Sequence, residues 1–331
     1  MRSQASIIFL LALVFSACAV FIPMRVGPPE DITVEITPKR VALGKKLAEG
    51  IMACGSCHTT GNFDGDPRQD MYLAGDVFTS KLEGTIRIPN ITPDIETGIG
   101  AWTDGEIIRA LTKGLSRDNR QLVPYMPWPE YGLTLTEEEV YAIVAYLRTV
   151  PEPVRHVPPE SDLTTMVSFA MSTGMMRRMF TTGPLYGAAY EPQLDTPEGR
   201  GKRLAYLGAC AACHAYAPEY PKKPPQLGEP LAGGVYFRGP GGELIMSANL
   251  SPDEETGIGG FSDQQLRDAL KFGKRLRPRT ETEMVRWPMM QRMTHHTSLN
   301  DDEIDDLMAY LRSQPAIRHD VVAKEAALEM N

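Results

Sequence analysis

The chain has 331 residues, 42% of them hydrophobic and 23% charged, with a formal net charge of −8. That length suits about two domains and the apolar content suits packed cores, which excludes a globally disordered chain. The acidic balance, with no basic stripe, argues against a nucleic-acid binder and fits a surface that docks on a basic partner. At the N-terminus, Arg2 precedes an apolar run from Ala5 to Met24. About 20 apolar residues span a bilayer, so residues 1–28 are expected to be a membrane anchor or signal segment. Ser16-Ala17-Cys18 offers a cleavage site, or a lipobox with Phe15 where leucine is usual, yet the apolar run continues to Ile22. A retained anchor, a cleaved signal and a lipoprotein all stay open. With Arg2 on the cytoplasmic side, an anchor places the rest on the periplasmic side of a bacterial inner membrane.

Beyond the leader, one unit is written twice. Thr37-Pro38 and Thr196-Pro197 each read as an N-cap followed by proline at the first helical position. Gly44-Lys45-Lys46-Leu47-Ala48 matches Gly201-Lys202-Arg203-Leu204-Ala205, and each helix leads into a C-x-x-C-H run. Leu73-Ala74-Gly75 matches Leu231-Ala232-Gly233, and Asn90-Ile91-Thr92-Pro93-Asp94 matches Asn249-Leu250-Ser251-Pro252-Asp253. Capping boxes at Thr103 with Glu106 and at Ser262 with Gln265 open the middle helices, and Gly114 and Gly273 stop them. Closing helices start at Thr136 with Glu139 and at Asn300 with Glu303, and both end in Ala-Tyr-Leu-Arg. Their apolar residues recur at i, i+3, i+4 and i+7, which is ordinary core patterning. Three principal helices per unit around a Gly/Pro-rich middle predict a small all-α domain. Short strand pairs are expected near Val77-Phe78 and Val235-Phe237. The linker, 156–192, holds Met166, Met171, Met175, Met176 and Met179, which suit either an adaptable docking surface or a helix packed between the units. A short charged tail, 319–331, follows.

The chemistry sits in Cys54-Gly55-Ser56-Cys57-His58 and Cys210-Ala211-Ala212-Cys213-His214. Two thiols three positions apart reach the two vinyl groups on one porphyrin edge, and the next histidine ligates the iron. A redox C-x-x-C or half of a zinc site is the alternative. A zinc ribbon, however, places its second pair about 15–20 residues on, and a thioredoxin-like motif does not need the histidine. With six histidines in the chain, two directly after C-x-x-C are not expected by accident. Of the five cysteines only Cys18 lies outside the motifs, so no structural disulfide is expected. Each proximal imidazole is expected to give its second ring N–H to a backbone carbonyl.

The opposite face of each iron decides the chemistry. Methionine there gives a six-coordinate iron that exchanges electrons and favours the reduced state, whereas water leaves room for peroxide chemistry. Leu122-Val123-Pro124-Tyr125-Met126-Pro127-Trp128 places Met126 between two prolines, ahead of the closing helix. In the second unit, Trp287-Pro288-Met289-Met290 stands at the same place. Aligning the closing helices selects Met290, with Met289 in reserve and His295 or His296 as other candidates. Trp102, Phe261, Trp128 and Trp287 suit either a haem wall or plain core. His156 and His319 carry no expected chemistry.

The run from Leu-Ala-Gly through Asn-Ile-Thr-Pro-Asp and Thr-Gly-Ile-Gly-x-Trp-Thr-Asp to Pro-x-Met-Pro-Trp resembles class I cytochrome c modules of the cytochrome subunits of membrane-bound alcohol, gluconate and similar dehydrogenases. The resemblance covers most of 38–155 and 193–318. It implies two tandem class I cytochrome c domains, 38–155 and 193–318, holding two covalently bound haem c groups. Cys54, Cys57, His58 and Met126 would hold the first, and Cys210, Cys213, His214 and Met290 the second. The chain departs from the pattern in having two modules rather than three, and in lacking Pro-Trp after the second methionine. The function implied is single-electron relay from a dehydrogenase or quinol-oxidising complex to an oxidase or another cytochrome, with no substrate chemistry of its own. A dihaem peroxidase is the rival, and it needs one open iron position.

Overall fold

A computed structural model describes residues 26–63, 66–80, 84–149, 151–175, 193–218, 230–238, 244–274, 276 and 298–321. Residues 1–25 of the expected leader, Met289, Met290, Trp287, His295, His296 and much of the linker and tail lie outside the described residues. The first unit contributes α1 (Pro38–Glu49), the short α2 (Gly55–His58), β1 (Asp76–Ser80), β2 (Gly84–Ile88), α3 (Asp104–Lys113), α4 (Trp128–Thr134) and α5 (Glu137–Thr149). The linker contributes β3 (Asp162–Leu163) and α6 (Thr165–Ser172). The second unit contributes α7 (Pro197–Leu207), the short α8 (Cys210–His214), β4 (Tyr236–Arg238), β5 (Leu244–Met246), α9 (Asp263–Phe272) and α10 (Asp301–Ser313). Among the described residues no helix is long and apolar enough to cross a membrane.

The helices begin and end where local chemistry dictates. Thr37 and Thr196 cap α1 and α7 by accepting from Arg40 N and Gly199 N, with proline at the first turn of each. The capping boxes of α3, α9 and α10 are complete, and Thr136 and Glu139 exchange the same bonds at α5. Gly114 (φ 61°) and Gly273 (φ 64°) end α3 and α9 in the left-handed conformation that glycine adopts without a Cβ penalty. The expected strand pairs are present. β1 pairs antiparallel with β2 and β4 with β5. The linker adds β3 to β2, which sequence patterning did not announce. It also supplies α6, which buries Val167 and Ala170 while Met166 and Phe169 are 61% and 52% exposed.

Each unit is built on the crossing of its first and last helices, α1 on α5 and α7 on α10. Glycine makes the close approach. A Cβ on Gly44 would lie 1.9 Å from Ala142 O, and one on Gly201 would lie 1.9 Å from Asp306 O. The apolar stripes meet there, with Leu47, Ile143, Val144 and Leu147 buried in one unit and Leu204, Ile304, Leu307 and Leu311 in the other. These residues belong to one continuous apolar cluster that runs through both units. The arginine of each Ala-Tyr-Leu-Arg run ties the closing helix to the start of the middle helix. Arg148 donates to Ile99 O, Trp102 O and the Asp104 carboxylate, and Arg312 to Phe261 O and the Asp263 carboxylate.

Candidate haem sites

After α1 and α7 the backbone reverses sharply to start each C-x-x-C-H helix. The residue before the first cysteine carries the turn, with Ala53 at φ 46° and Ala209 at φ 50°. A left-handed non-glycine residue costs about 1 kcal/mol or more, and nothing in the local sequence signals it. α2 then presents Cys54, Cys57 and His58, and α8 presents Cys210, Cys213 and His214.

The two histidines are held alike. His58 Nδ1 donates to Pro89 O at 2.8 Å, and His214 Nδ1 donates to Ala248 O at 2.9 Å. A carbonyl only accepts, so Nδ1 carries the proton and the lone pair rests on Nε2, the tautomer a metal-ligating imidazole needs. Burial pushes the pKa of His214 down, against the bond to Ala248 O, which raises it; the neutral ring is thus favoured.

The repeated motifs turn out to be the collar of these histidines. Gly75 N donates to His58 O at 2.6 Å and Gly233 N to His214 O at 2.8 Å, so each Leu-Ala-Gly turn is tied to its histidine main chain. The residue after each carbonyl partner is Asn90 or Asn249. Asn90 Nδ2 donates to Val154 O (2.7 Å) and His156 O (3.2 Å), while its Oδ1 accepts from Thr92 N (2.9 Å) and Thr92 Oγ1 (2.7 Å). Asn249 repeats this, donating to Ile317 O and His319 O and accepting from Ser251 N. The asparagine thus pins the chain leaving the closing helix beside the strand end that orients the imidazole. His319 is not idle. Its Nδ1 donates to Ala232 O at 3.0 Å and its ring meets Tyr216 edge-on at 5.2 Å.

Cys54 and Cys210 pack against the apolar cluster. Burial, with the neighbouring Cys57 or Cys213 second, pushes the Cys54 and Cys210 thiols up to about 12. A redox C-x-x-C works through a lowered thiol pKa, so this environment is unsuited to that alternative. Among the described residues no group of three or more His, Cys, Asp or Glu side chains is placed to hold a metal ion.

Met126 sits half-buried against the same apolar cluster that Cys54 borders. Its loop is fixed by Met126 N to Val123 O (3.2 Å) and Trp128 N to Met126 O (2.7 Å). Tyr125 beside it is exposed and stacks obliquely on Phe78, 5.4 Å between ring centres. Trp128, 2% exposed, fills the space over Gly114, where a Cβ would fall 2.4 Å from the ring. Trp128 therefore serves as core in this structure. It also opens α4, a helix that the flanking prolines obscured in the sequence.

The donor set at the first site fits a covalently held haem: two thiols on one turn, an imidazole whose Nδ1 proton is given to Pro89 O, and a half-buried thioether. At the second site the thiols and His214 fit equally, and the expected thioether lies outside the described residues.

Residues 41–151 match the family described as Cytochrome c. The chain is 32% identical over 300 residues to the fructose dehydrogenase cytochrome subunit of Gluconobacter japonicus, covering 88% of this chain and 56% of that protein. It is 29% identical over 274 residues to the cytochrome c subunit of alcohol dehydrogenase (quinone) of Gluconobacter oxydans, covering 80% of this chain and 52% of that protein. A diheme cytochrome c-type protein of Cereibacter sphaeroides is 31% identical over 162 residues, 49% of this chain and 52% of that one. The chain spans about half the length of the curated relatives it matches.

Proposed function

From a chain that carries a cytochrome c domain over residues 41–151 and is homologous to cytochrome c subunits of fructose, alcohol and gluconate dehydrogenases, we propose an electron-transfer protein with two covalent haem c groups, one in each of two tandem class I domains, 38–155 and 193–318. When bound, the haem supplies an iron that takes up and gives off one electron at a time. The protein's own residues do the rest. Cys54, Cys57, Cys210 and Cys213 would anchor the porphyrins. His58 and His214 would ligate through Nε2, oriented by Pro89 O and Ala248 O. Met126 and Met290 would supply thioether ligands, which favour the reduced iron. The observation that carries the reading is the pair of equivalent C-x-x-C-H turns, each with its histidine Nδ1 given to a carbonyl.

The donor in this reading is a dehydrogenase or quinol-oxidising complex, and the acceptor an oxidase or another cytochrome. In this reading the apolar N-terminal run would act as an anchor, a cleaved signal or a lipoprotein signal, with the chain on the periplasmic side of a bacterial inner membrane. The test is the mass of the exported, denatured chain, which is expected to show two covalent haem additions; none would overturn the proposal. Substituting Met126 or Met290 is expected to abolish the methionine-to-iron charge-transfer band of the oxidised protein at that site. Fast peroxide turnover by the unmodified protein would instead favour the peroxidase reading.

A further inference from the structure

The boundary between the two units is built twice from the same parts. Lys46 Nζ meets Glu303 Oε1 at 2.5 Å, and Arg203 pairs with Glu139 while donating to Thr134 O at 3.2 and 3.1 Å. Counted from Gly44 and Gly201, Lys46 and Arg203 hold the same place in α1 and α7. Glu139 and Glu303 hold the same place in α5 and α10, the capping-box position. The first unit's base thus meets the second unit's acid, and the second unit's base meets the first unit's acid. A two-fold arrangement of two like bodies requires that reciprocity. Ile51 and Gly208 face each other across the same boundary: a Cβ on Gly208 would lie 3.1 Å from Ile51 Cδ1. The axis of that two-fold arrangement passes between the two reciprocal ion pairs. Ser298, the counterpart of Thr134, lies against Gly50 in the same way, and α4 packs on α7.

The axis falls beside the chemistry. Ile51 is three residues before Cys54 and Gly208 two before Cys210, so the two attachment segments leave the boundary side by side. The acids are fixed before they meet their partners. Glu139 Oε2 also accepts from Thr136 N and Thr136 Oγ1, each at 2.9 Å, and Glu303 Oε2 accepts from Asn300 N at 2.9 Å. An ion pair between held groups loses less side-chain entropy than one between loose surface chains. The Arg203 and Glu139 side chains are only 17% and 16% exposed, so solvent screens that pair less than an open one.

We propose that this reciprocal boundary is the route by which the two haem sites exchange an electron within one chain, and that Lys46, Arg203, Glu139 and Glu303 are positioning residues that hold the attachment segments together. This rests on the function proposed above. One electron leaves the reduced site and arrives at the oxidised one; no bond forms or breaks, no proton moves and no further reactant is needed. Tunnelling falls steeply with separation, so a clamp that fixes the separation fixes the rate.

The test uses the full-length haem-loaded protein with K46E/R203E, which reverses the basic side and leaves both capping boxes alone. Small-angle scattering is expected to show an enlarged chain, and flash photoreduction is expected to show intramolecular transfer slowed about tenfold or more, with covalent haem mass unchanged. K46M/R203M removes the charges without repulsion and is expected to move both readouts the same way by less; it decides the matter if the reversed variant does not fold. A transfer rate that stays at the wild-type value in these variants overturns the proposal. A wild-type mass lacking two haem groups overturns the function proposed above instead, and scattering of K46E/R203E then still reports whether the clamp holds the units together.

Discussion

Replacing Asn90 by alanine removes a buried junction that serves three stretches of chain at once. The side chain donates to Val154 O, His156 O and Thr97 Oγ1 and accepts from Thr92 N and Thr92 Oγ1. Thr92 is 0% exposed, so water does not reach the N–H that loses its acceptor. Its hydroxyl has a fallback in Val154 O at 3.4 Å. One stranded donor costs about 1–3 kcal/mol, and the other lost bonds about 1 kcal/mol each before relaxation. A net loss of about 3 kcal/mol is expected. At about 2.1 cal/mol/K of unfolding entropy per residue, the first unit, 38–155, shifts about 4 °C per kcal/mol, so it should unfold about 12 °C earlier by calorimetry. Asn90→Asp turns a carboxylate oxygen toward the carbonyls of Val154 and His156 at a site only 3% exposed, so at neutral pH it should lose at least as much as alanine. Asn249→Ala should repeat the loss in the second unit. A loss below about 0.5 kcal/mol for both alanine variants, the range of a featureless surface change, would refute the claim that these asparagines pin the chain behind the imidazole collar.

Gly44→Ala and Gly201→Ala should each destabilise by about 2 kcal/mol in thermal unfolding, because overpacking of about 3 kcal/mol outweighs about 1 kcal/mol of helix propensity; the inserted methyl would sit 1.9 Å from Ala142 O or Asp306 O. Ala53→Gly and Ala209→Gly should raise stability by up to about 1 kcal/mol in urea titration, since glycine relieves the left-handed backbone there. The carboxyls of Asp94 and Asp253 are held below the usual 3.8, chiefly by the hydroxyls of Thr97 and Thr256. A depressed folded-state pKa gives stability that is complete above the unfolded value and lost as pH falls through the folded one. Stability should therefore decline below about pH 4, and less steeply in Asp94→Asn/Asp253→Asn when followed by circular dichroism.

The sequence by itself determined what short-range chemistry controls. Caps and their partners are three residues apart, as in Thr103 with Glu106 and Asn300 with Glu303, so those helix starts were legible and are where the structure puts them. The C-x-x-C-H spacing, the doubled motif order and the strand pairs near Val77 and Val235 were legible for the same reason. Helix α4 was not, because Pro127 and Pro129 broke the period that would have announced it. The linker strand β3 was missed because its pairing partner is a distant strand. Only the tertiary structure decided which carbonyl holds each imidazole. Pro89 lies 31 residues from His58 and Ala248 lies 34 from His214, and no local pattern encodes such a partner. It also decided that Lys46 meets Glu303, 257 residues away, and that Arg203 meets Glu139. Contacts that close long loops depend on how two packed bodies come to rest, which one stretch of sequence does not carry.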